Sequence, residues 1–160
     1  MSIFFNPDEI LEMAEQIERN GARFYRQIAQ NTKDVGLREL LQTLAAMEDE
    51  HEKVFSNMRT NLTMEEIEFN ADEQASSYLK VWADGHVFDM KSDPVTRIKD
   101  QVDMEGILKV AIDLEKESIV FYLGLKNGVN KKTYRDKIEE IIKEEMKHIV
   151  SLSAKLSSLK

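Results

Sequence analysis

The chain has 160 residues, 30 of them acidic and 22 basic, and its formal net charge is −8. The length suits one domain with its own core, and the charge makes nucleic acid or an anionic membrane a poor default partner. Because the sequence contains no cysteine, it excludes disulfides, thiolate nucleophiles, iron–sulfur clusters and rubredoxin-type iron sites. No apolar run approaches the roughly 20 residues that span a bilayer, and residues 1–5 do not resemble a signal peptide, so we expect a soluble cytoplasmic protein.

The first 61 residues predict two long helices joined by a short turn. Residues 6–9, Asn-Pro-Asp-Glu, form a typical helix start capped by Asn6. A second helix begins between Asp34 and Gly36 and ends near Asn61. In both helices the inward-facing residues recur at steps of three and four, which is typical of a bundle. These inward stripes are Ile10, Ala14, Ile17, Gly21, Phe24 and Ile28 in the first helix, and Leu37, Leu41, Leu44, Glu48, His51, Phe55 and Met58 in the second.

Residues 62–102 predict a long connection, and two further long helices follow it. Within the connection we expect a helix near residues 71–84. Its apolar face consists of Tyr78, Val81 and Trp82. Asp103 caps the third long helix, which ends near Gly128, and the fourth runs from about Lys131 to the end of the chain. The inward stripes are Ile107, Ala111, Leu114, Ser118, Phe121 and Leu125 in the third helix, and Tyr134, Ile138, Ile141, Glu145, His148 and Leu152 in the fourth.

Short turns within each pair of helices predict two antiparallel hairpins, over residues 6–61 and 103–160. A connection of about 40 residues between them is long enough to cross a bundle lengthwise. The sequence therefore predicts an all-α fold over residues 1–160: a single-domain four-helix bundle made of two hairpins and one long crossover that contains short helices.

The two hairpins are related by an internal repeat with a constant offset of 97 residues. The pairs of identical residues include Ala14 and Ala111, Glu18 and Glu115, Phe24 and Phe121, Tyr25 and Tyr122, Arg38 and Arg135, Glu48 and Glu145, and His51 and His148. Glutamate and histidine therefore recur at positions where the core of a bundle would ordinarily be apolar. The repeat predicts a polar site inside the bundle.

The repeated glutamates and histidines have the spacing of metal ligands. Glu48 and His51 lie one turn apart on one helix face, Glu145 and His148 repeat this pair, and each of the other two helices adds one glutamate. Four unpaired carboxylates in an apolar interior would cost on the order of several kcal/mol each. Protonation would reduce that cost, and two divalent cations would neutralise the four charges. Oxygen and nitrogen ligands without sulfur suit iron or manganese, and zinc less specifically. The alternative is that these motifs fall by chance on solvated helix faces.

At these residues the sequence resembles the ferritin-like di-iron carboxylate proteins, and within them the rubrerythrin-like branch. Residues 18–25 and 115–122 are both similar to the Glu-x-x-small-x-x-Phe-Tyr stretch of that family, and residues 84–88 are similar to part of its crossover. The resemblance covers both hairpins. It implies a ferritin-like four-helix bundle that holds two iron ions, with manganese or a mixed manganese–iron pair as alternatives.

The resemblance also implies roles for individual residues. Two glutamates would bridge the metals, and each metal would be completed by one further glutamate and one histidine. The bridging residues are Glu48 and Glu145, and the two completing pairs are Glu18 with His51 and Glu115 with His148. Tyr25 and Tyr122 would either donate hydrogen bonds or protons at the site or be ordinary core tyrosines. Glu144 would orient a histidine through its distal nitrogen, although its counterpart in the repeat is Met47.

Two departures from the rubrerythrin pattern affect the expected chemistry. Ser118 occupies the place of an extra carboxylate that lets one iron shift with redox state in rubrerythrins, so that shift is not expected here. Gly21 and Ser118 would instead leave room for an exogenous ligand. Because the sequence has no cysteine, it cannot hold the rubredoxin iron that supplies electrons in rubrerythrins. A separate electron-donor protein is therefore expected.

The resulting hypothesis is a non-haem di-iron oxidoreductase that reacts with peroxide or dioxygen. The first alternative is a ferroxidase or iron-handling protein, for which ferrous iron is the substrate. The second is a bundle that binds metal only for stability and is not an enzyme. A homodimer or larger homo-oligomer is expected, and His86 is expected to have a packing or surface role.

Overall fold

The structure is a computed structural model that describes residues 7–61, 77–78, 103–129 and 131–159. Within these residues the chain forms four long helices: α1 (Pro7–Asn31), α2 (Val35–Thr60), α3 (Met104–Gly128) and α4 (Lys132–Ser158). The prediction of an all-α four-helix bundle is confirmed. None of the described helices is both long and apolar enough to cross a membrane. The predicted Asn6 cap, most of the predicted helix near 71–84, and His86 lie outside the described residues.

Side-chain caps begin the second and third helices, as the sequence predicts for Asp103. The backbone N–H of Leu37 donates to Asp34 Oδ1 at 3.0 Å, and that of Gly106 donates to Asp103 Oδ1 at 2.8 Å. Each cap satisfies one of the backbone donors that a helix leaves unpaired at its N-terminus. The starts of α2 and α3 are thereby determined by local sequence.

Each pair of helices that is joined by a short turn packs as a hairpin. α1 packs mainly on α2 and α3 mainly on α4, while α2 also contacts α4 and α1 contacts α3. The interior contains two apolar clusters. One includes Ile10, Ile17, Phe55, Met58, Phe121 and Ile138; the other includes Phe24, Ile28, Leu41, Leu44, Leu108 and Leu152. The repeated glutamates and histidines lie between the clusters in every helix, so apolar side chains close the site at both ends.

The predicted inward stripes of α2 and α4 are buried in full, whereas that of α3 needs a correction. Ile107 and Leu114 are only half-buried, and Leu108 and Ile112 are buried instead. α3 is apolar around much of its circumference, so its periodicity alone does not determine which face points inward. In the structure the helix is turned so that Glu115 faces the interior.

A further buried carboxylate, which the sequence analysis does not single out, ties α1 to α2. Glu15 is 6% exposed and accepts a hydrogen bond from Arg59 Nη1 at 2.9 Å. The Nε atom of Arg59 also donates to Asp8 Oδ1 at 2.6 Å. An arginine on the neighbouring helix thus neutralises this carboxylate, in contrast to the four carboxylates of the repeat.

Candidate metal centre

The structure brings all six predicted ligands together in the bundle interior. Each helix contributes one glutamate, and α2 and α4 each add a histidine one turn further along. All six side chains are buried: Glu18 from α1, Glu48 and His51 from α2, Glu115 from α3, and Glu145 and His148 from α4. Within the described residues no lysine or arginine is buried, so histidine is the only basic residue type among the buried described residues of the site.

The six residues form two overlapping groups that share Glu48 and Glu145. One group adds Glu18 and His51, and the other adds Glu115 and His148. Within each group every residue offers a ligand atom, and these atoms all lie within 4.8 Å of one another. The two shared carboxylates are the ones for which the family resemblance implies a bridging role. The arrangement therefore fits a dinuclear metal site.

Both histidines turn their Nδ1 atoms toward the carboxylates. His51 Nδ1 lies 3.0 Å from Glu145 Oε1 and 3.4 Å from Glu18 Oε2. His148 Nδ1 lies 2.8 Å from Glu145 Oε2 and 3.3 Å from both Glu48 Oε1 and Glu115 Oε1. The two rings stack with their centroids 5.9 Å apart and their planes inclined by 19°. Glu145 therefore contacts both imidazoles, one with each of its oxygens.

Several buried polar atoms at the site form no hydrogen bond of good geometry among the described residues, although each of the oxygens lies within 3.4 Å of an imidazole nitrogen. They are Glu18 Oε2, Glu48 Oε1, Glu145 Oε2 and His148 Nε2. Buried polar atoms are normally satisfied, and the three oxygens belong to different carboxylates that converge on one region. Oxygen and imidazole donors without sulfur match the preferences of iron and manganese. The donor set thus fits the implied pair of divalent metal ions.

In the absence of metal, the electrostatics of the site favour bound protons. Burial raises the pKa of Glu48 well above its usual value, and the charges of Glu145 and Glu18 raise it further. Burial also raises the pKa of Glu115 to about 8, and the charge of Glu145 adds to this effect against the opposing hydrogen bond from His148. The metal-free cluster thus lowers its own negative charge by protonation.

The imidazoles hold protons for a different reason. Burial acts to lower the pKa of both rings, but hydrogen bonds to the surrounding carboxylates and their charges outweigh it. The pKa of His51 is raised to about 11 and that of His148 to about 9. A metal ion that binds through Nδ1 must therefore displace a proton, so metal and protons compete for the site.

Tyr25 and Tyr122 donate hydrogen bonds to glutamates of the opposite hairpin. The Tyr25 hydroxyl donates to Glu115 Oε1, and the Tyr122 hydroxyl donates to Glu18 Oε1 at 2.5 Å. Burial raises the pKa of both hydroxyls well above 10.0, and nearby glutamate charges add to this, so both stay protonated. The two tyrosines touch the carboxylates as one of the two sequence interpretations anticipates, and their part in a reaction stays a prediction.

A small cavity lies beside Glu48 and Glu115, on the side where Gly21 and Ser118 are found. Its volume is about 20 Å³, which is room for one water-sized molecule. A Cβ atom on Gly21 would lie 3.1 Å from Glu48 Oε2, so the glycine leaves space for that carboxylate. The Ser118 hydroxyl donates to the carbonyl of Leu114 at 2.9 Å, within its own helix.

Comparison with known proteins agrees with this geometry. The sequence model of the Rubrerythrin family matches residues 9–155. A crystal structure described as that of a ferritin-like diiron-carboxylate protein from Thermotoga maritima has a TM-score of 0.80 and 22% sequence identity, over 98% of this chain and 97% of that chain. At this identity the likeness shows the fold alone. A search of curated proteins finds no match. The chain therefore belongs to the rubrerythrin family, and its four helices have the ferritin-like fold.

Proposed function

We propose that this chain is a non-haem di-iron carboxylate oxidoreductase that reacts with peroxide or dioxygen. The observation that carries the proposal is the pair of buried ligand groups that share Glu48 and Glu145. A site of this kind holds two metal ions at neighbouring positions in a mostly apolar interior. Two iron ions bound there would supply the two electrons that reduce hydrogen peroxide to two molecules of water.

The residues around the ligands support a reaction with a small oxidant. The cavity beside Glu48 has room for one water-sized molecule, which suits peroxide or dioxygen better than an organic substrate. Three of the side chains that line it, Ile17, Phe24 and Leu114, are apolar. The buried Tyr25 hydroxyl lines this cavity and stays protonated, so it places a hydrogen-bond donor beside the expected position of the oxidant.

We also propose that a separate electron-donor protein reduces the site between turnovers. The chain has no cysteine and thus no thiolate-ligated iron of its own. The described residues provide only the carboxylate and histidine ligands of the dinuclear site. Sustained activity then depends on a partner that carries electrons to the bundle surface.

Mixing the chemically reduced, iron-loaded protein with hydrogen peroxide in a stopped-flow instrument tests this function. We expect an absorbance change in the millisecond-to-second range, as the ferrous site is oxidised. No change on that timescale would contradict the oxidoreductase proposal and favour a bundle that binds metal only for stability. Turnover of many ferrous ions per chain, with retention of the ferric product, would instead identify a ferroxidase.

Metal analysis of protein purified without added metal tests the site independently of the reaction. We expect two metal ions per chain, and we expect Glu48→Ala and Glu145→Ala to lose the pair, because each removes a shared ligand. Glu140→Ala is the matched control, since Glu140 is exposed on the same helix as Glu145 and should keep both ions. Two retained ions in both ligand variants would show that the ligand assignment is wrong.

A further inference from the structure

The two halves of the site differ at the distal nitrogens of their histidines. On the His51 side, Nε2 forms a hydrogen bond with Glu144 Oε2, which reaches across from α4. On the His148 side, Nε2 is buried and has no hydrogen-bond partner among the described residues. Both rings nevertheless direct Nδ1 to the carboxylates in the same way. One imidazole is therefore held at both nitrogens and the other at only one.

The internal repeat explains this difference by a single substitution. The residue that corresponds to Glu144 in the first hairpin, 97 positions earlier, is Met47. Both residues directly precede a shared glutamate, and both are half-buried. A thioether sulfur is only a weak hydrogen-bond acceptor, whereas a carboxylate is a strong one. The position that supplies an acceptor to His51 therefore carries no strong acceptor in the other hairpin.

The glutamates and their tyrosine partners do not distinguish the two halves. Glu48 and Glu145 belong to both ligand groups. Each of the two remaining glutamates accepts a hydrogen bond from a buried tyrosine of the opposite hairpin. The acceptor at the distal nitrogen is therefore the main difference that bears on how each histidine binds a metal ion.

A carboxylate at the distal nitrogen strengthens a histidine as a metal ligand. An imidazole that binds through Nδ1 carries its proton on Nε2, and an acceptor for that N–H holds the ring orientation and raises the electron density at Nδ1. Glu144 provides such an acceptor for His51. His148 would present the same N–H to an interior with no acceptor among the described residues. The two rings are thus unequal ligands.

We propose that the two metal positions have unequal affinities, and that Glu144 is the positioning residue responsible. The position completed by Glu18 and His51 binds its ion more tightly than the position completed by Glu115 and His148. Partners of this kind typically change metal affinity by about 10- to 100-fold. This inference rests on the proposed dinuclear metal site and concerns the order in which its positions fill.

The test is the occupancy of each position after one equivalent of Co²⁺ per chain has been added to metal-free protein. Stepwise affinities alone are not sufficient, because the shared carboxylates couple the two ions even between identical positions. Crystals of the partly loaded protein, measured for anomalous scattering at the cobalt edge, give the occupancy of each position directly. We expect cobalt mainly beside His51, with a tenfold or greater excess over the position beside His148.

Three variants test the role assigned to Glu144. Glu144→Leu removes the acceptor and should bring the two occupancies close to equality. Glu144→Gln keeps an amide oxygen that accepts the N–H, so it should retain part of the preference. Met47→Glu supplies the missing acceptor to His148 and should raise the occupancy beside that histidine. Glu140→Leu, an exposed position on the same helix, is the control and should leave the native ratio unchanged.

The outcomes separate this inference from the proposed function. Equal cobalt occupancy of the two positions in the native protein would overturn the proposed inequality. An unchanged occupancy ratio in folded Glu144→Leu would overturn the role assigned to Glu144. If Glu144→Leu does not fold, as judged by circular dichroism, an unchanged ratio in both Glu144→Gln and Met47→Glu overturns that role equally. If no cobalt binds at either position, the dinuclear site itself is refuted, and with it the inference.

Discussion

Tyr25 and Tyr122 connect the hairpins through their hydroxyl groups at the level of the metal centre. The Tyr25 hydroxyl of α1 donates to Glu115 of α3. The Tyr122 hydroxyl of α3 donates to Glu18 of α1. Glu18 is completely buried, so water cannot replace the bond from Tyr122. Hydrogen bonds to charged groups contribute about 1.5–3 kcal/mol, more than a neutral pair. These tyrosines therefore stabilise the association of the hairpins and also orient two of the predicted ligands.

The variant Tyr122→Phe tests that contribution. We expect it to lower the free energy of unfolding of the metal-free protein by about 1–3 kcal/mol, because a buried carboxylate loses a donor. Urea denaturation provides the measurement. Tyr134→Phe is the matched control, since Tyr134 is also buried but lies in the apolar cluster and outside the site. A loss in Tyr122→Phe no greater than that in the control would contradict the interpretation.

Gly21 is a second single residue whose identity is explained by a predicted ligand, Glu48. Glycine in the interior of a helix destabilises it by about 1 kcal/mol relative to alanine. At Gly21 even an alanine Cβ would meet Glu48 Oε2 at 3.1 Å, which is closer than ordinary van der Waals contact. The missing side chain lets the shared carboxylate come close to α1. Its counterpart in the repeat is Ser118, which lines the same cavity.

Among the helices, α1 and α2 are joined by an ion cluster centred on one arginine. Arg59, near the end of α2, contacts Asp8 and Glu15 near the start of α1. Glu15 is almost fully buried, so the arginine prevents an unpaired carboxylate from being left in the interface. This cluster contrasts with the metal centre one turn further along α1, where no lysine or arginine is present among the buried described residues.

Replacement of Arg59 by methionine keeps an aliphatic chain of similar length but removes the charge. We expect Arg59→Met to lower the free energy of unfolding by about 2 kcal/mol, mainly because Glu15 loses its partner in a buried environment. Thermal or urea denaturation would measure the loss. Lys53→Met is the control, because Lys53 pairs with Glu50 on the solvent-exposed surface and its loss should cause no measurable change. Equal effects of the two variants would refute this account.

The rotation of α3 shows where helix-level prediction reaches its limit. The stripes of α2 and α4 are flanked by charged residues, so only one face of each helix can be buried. α3 carries apolar residues on several faces, among them Leu108, Ile112 and the exposed Val120 and Leu123. Its periodicity is therefore compatible with more than one rotation. The contacts of Glu115 and Tyr122 with α4 and α1 select the rotation seen in the structure.

For the whole molecule, the net charge of −8 includes carboxylates that do not face solvent. The four glutamates of the metal centre are all buried. In the metal-free protein Glu48, Glu115, His51 and His148 all have pKa values raised above their ordinary values. The folded metal-free state therefore binds more protons than the unfolded chain between about pH 5 and 9, so its stability depends on pH.

We expect the metal-free protein to lose stability as the pH rises from 5.5 to 8.5. Each group with a raised folded pKa removes about 1.4 kcal/mol per pH unit between its unfolded and folded values. For Glu115 that window runs from 4.5 to about 8, and for His148 from 6.5 to about 9. Urea denaturation in the presence of a chelator would measure the change.

Metal loading should change the sign of this pH dependence. Because the ions displace protons from carboxylates and imidazoles, the stabilisation by metal grows as the pH rises. Urea denaturation over the same pH range, with two equivalents of Co²⁺ per chain, would measure this effect against the metal-free protein. If the free energy of unfolding of the metal-free protein stayed constant or rose between pH 5.5 and 8.5, the inference that the folded metal-free site binds extra protons would be wrong.

The sequence by itself determined the helix count, the hairpin pairing and the residues that meet at the centre. These follow from local interactions: capping residues begin α2 and α3, and apolar spacing defines the inward faces of α2 and α4. The repeat offset of 97 residues places identical residues at equivalent positions along the two hairpins. The identities of the six grouped residues also follow, because glutamate and histidine on buried faces need charge compensation.

Only the tertiary structure decided which atoms meet between the hairpins. The bonds from Tyr25 to Glu115, from Tyr122 to Glu18 and between His51 and Glu144 join residues 90 to 104 positions apart. The packing of helices against one another also decides the pairing of Arg59 with Glu15 and the rotation of α3. The physical reason is that periodicity specifies a face of one helix, whereas a contact between side chains depends on the rotation and packing of two helices at once.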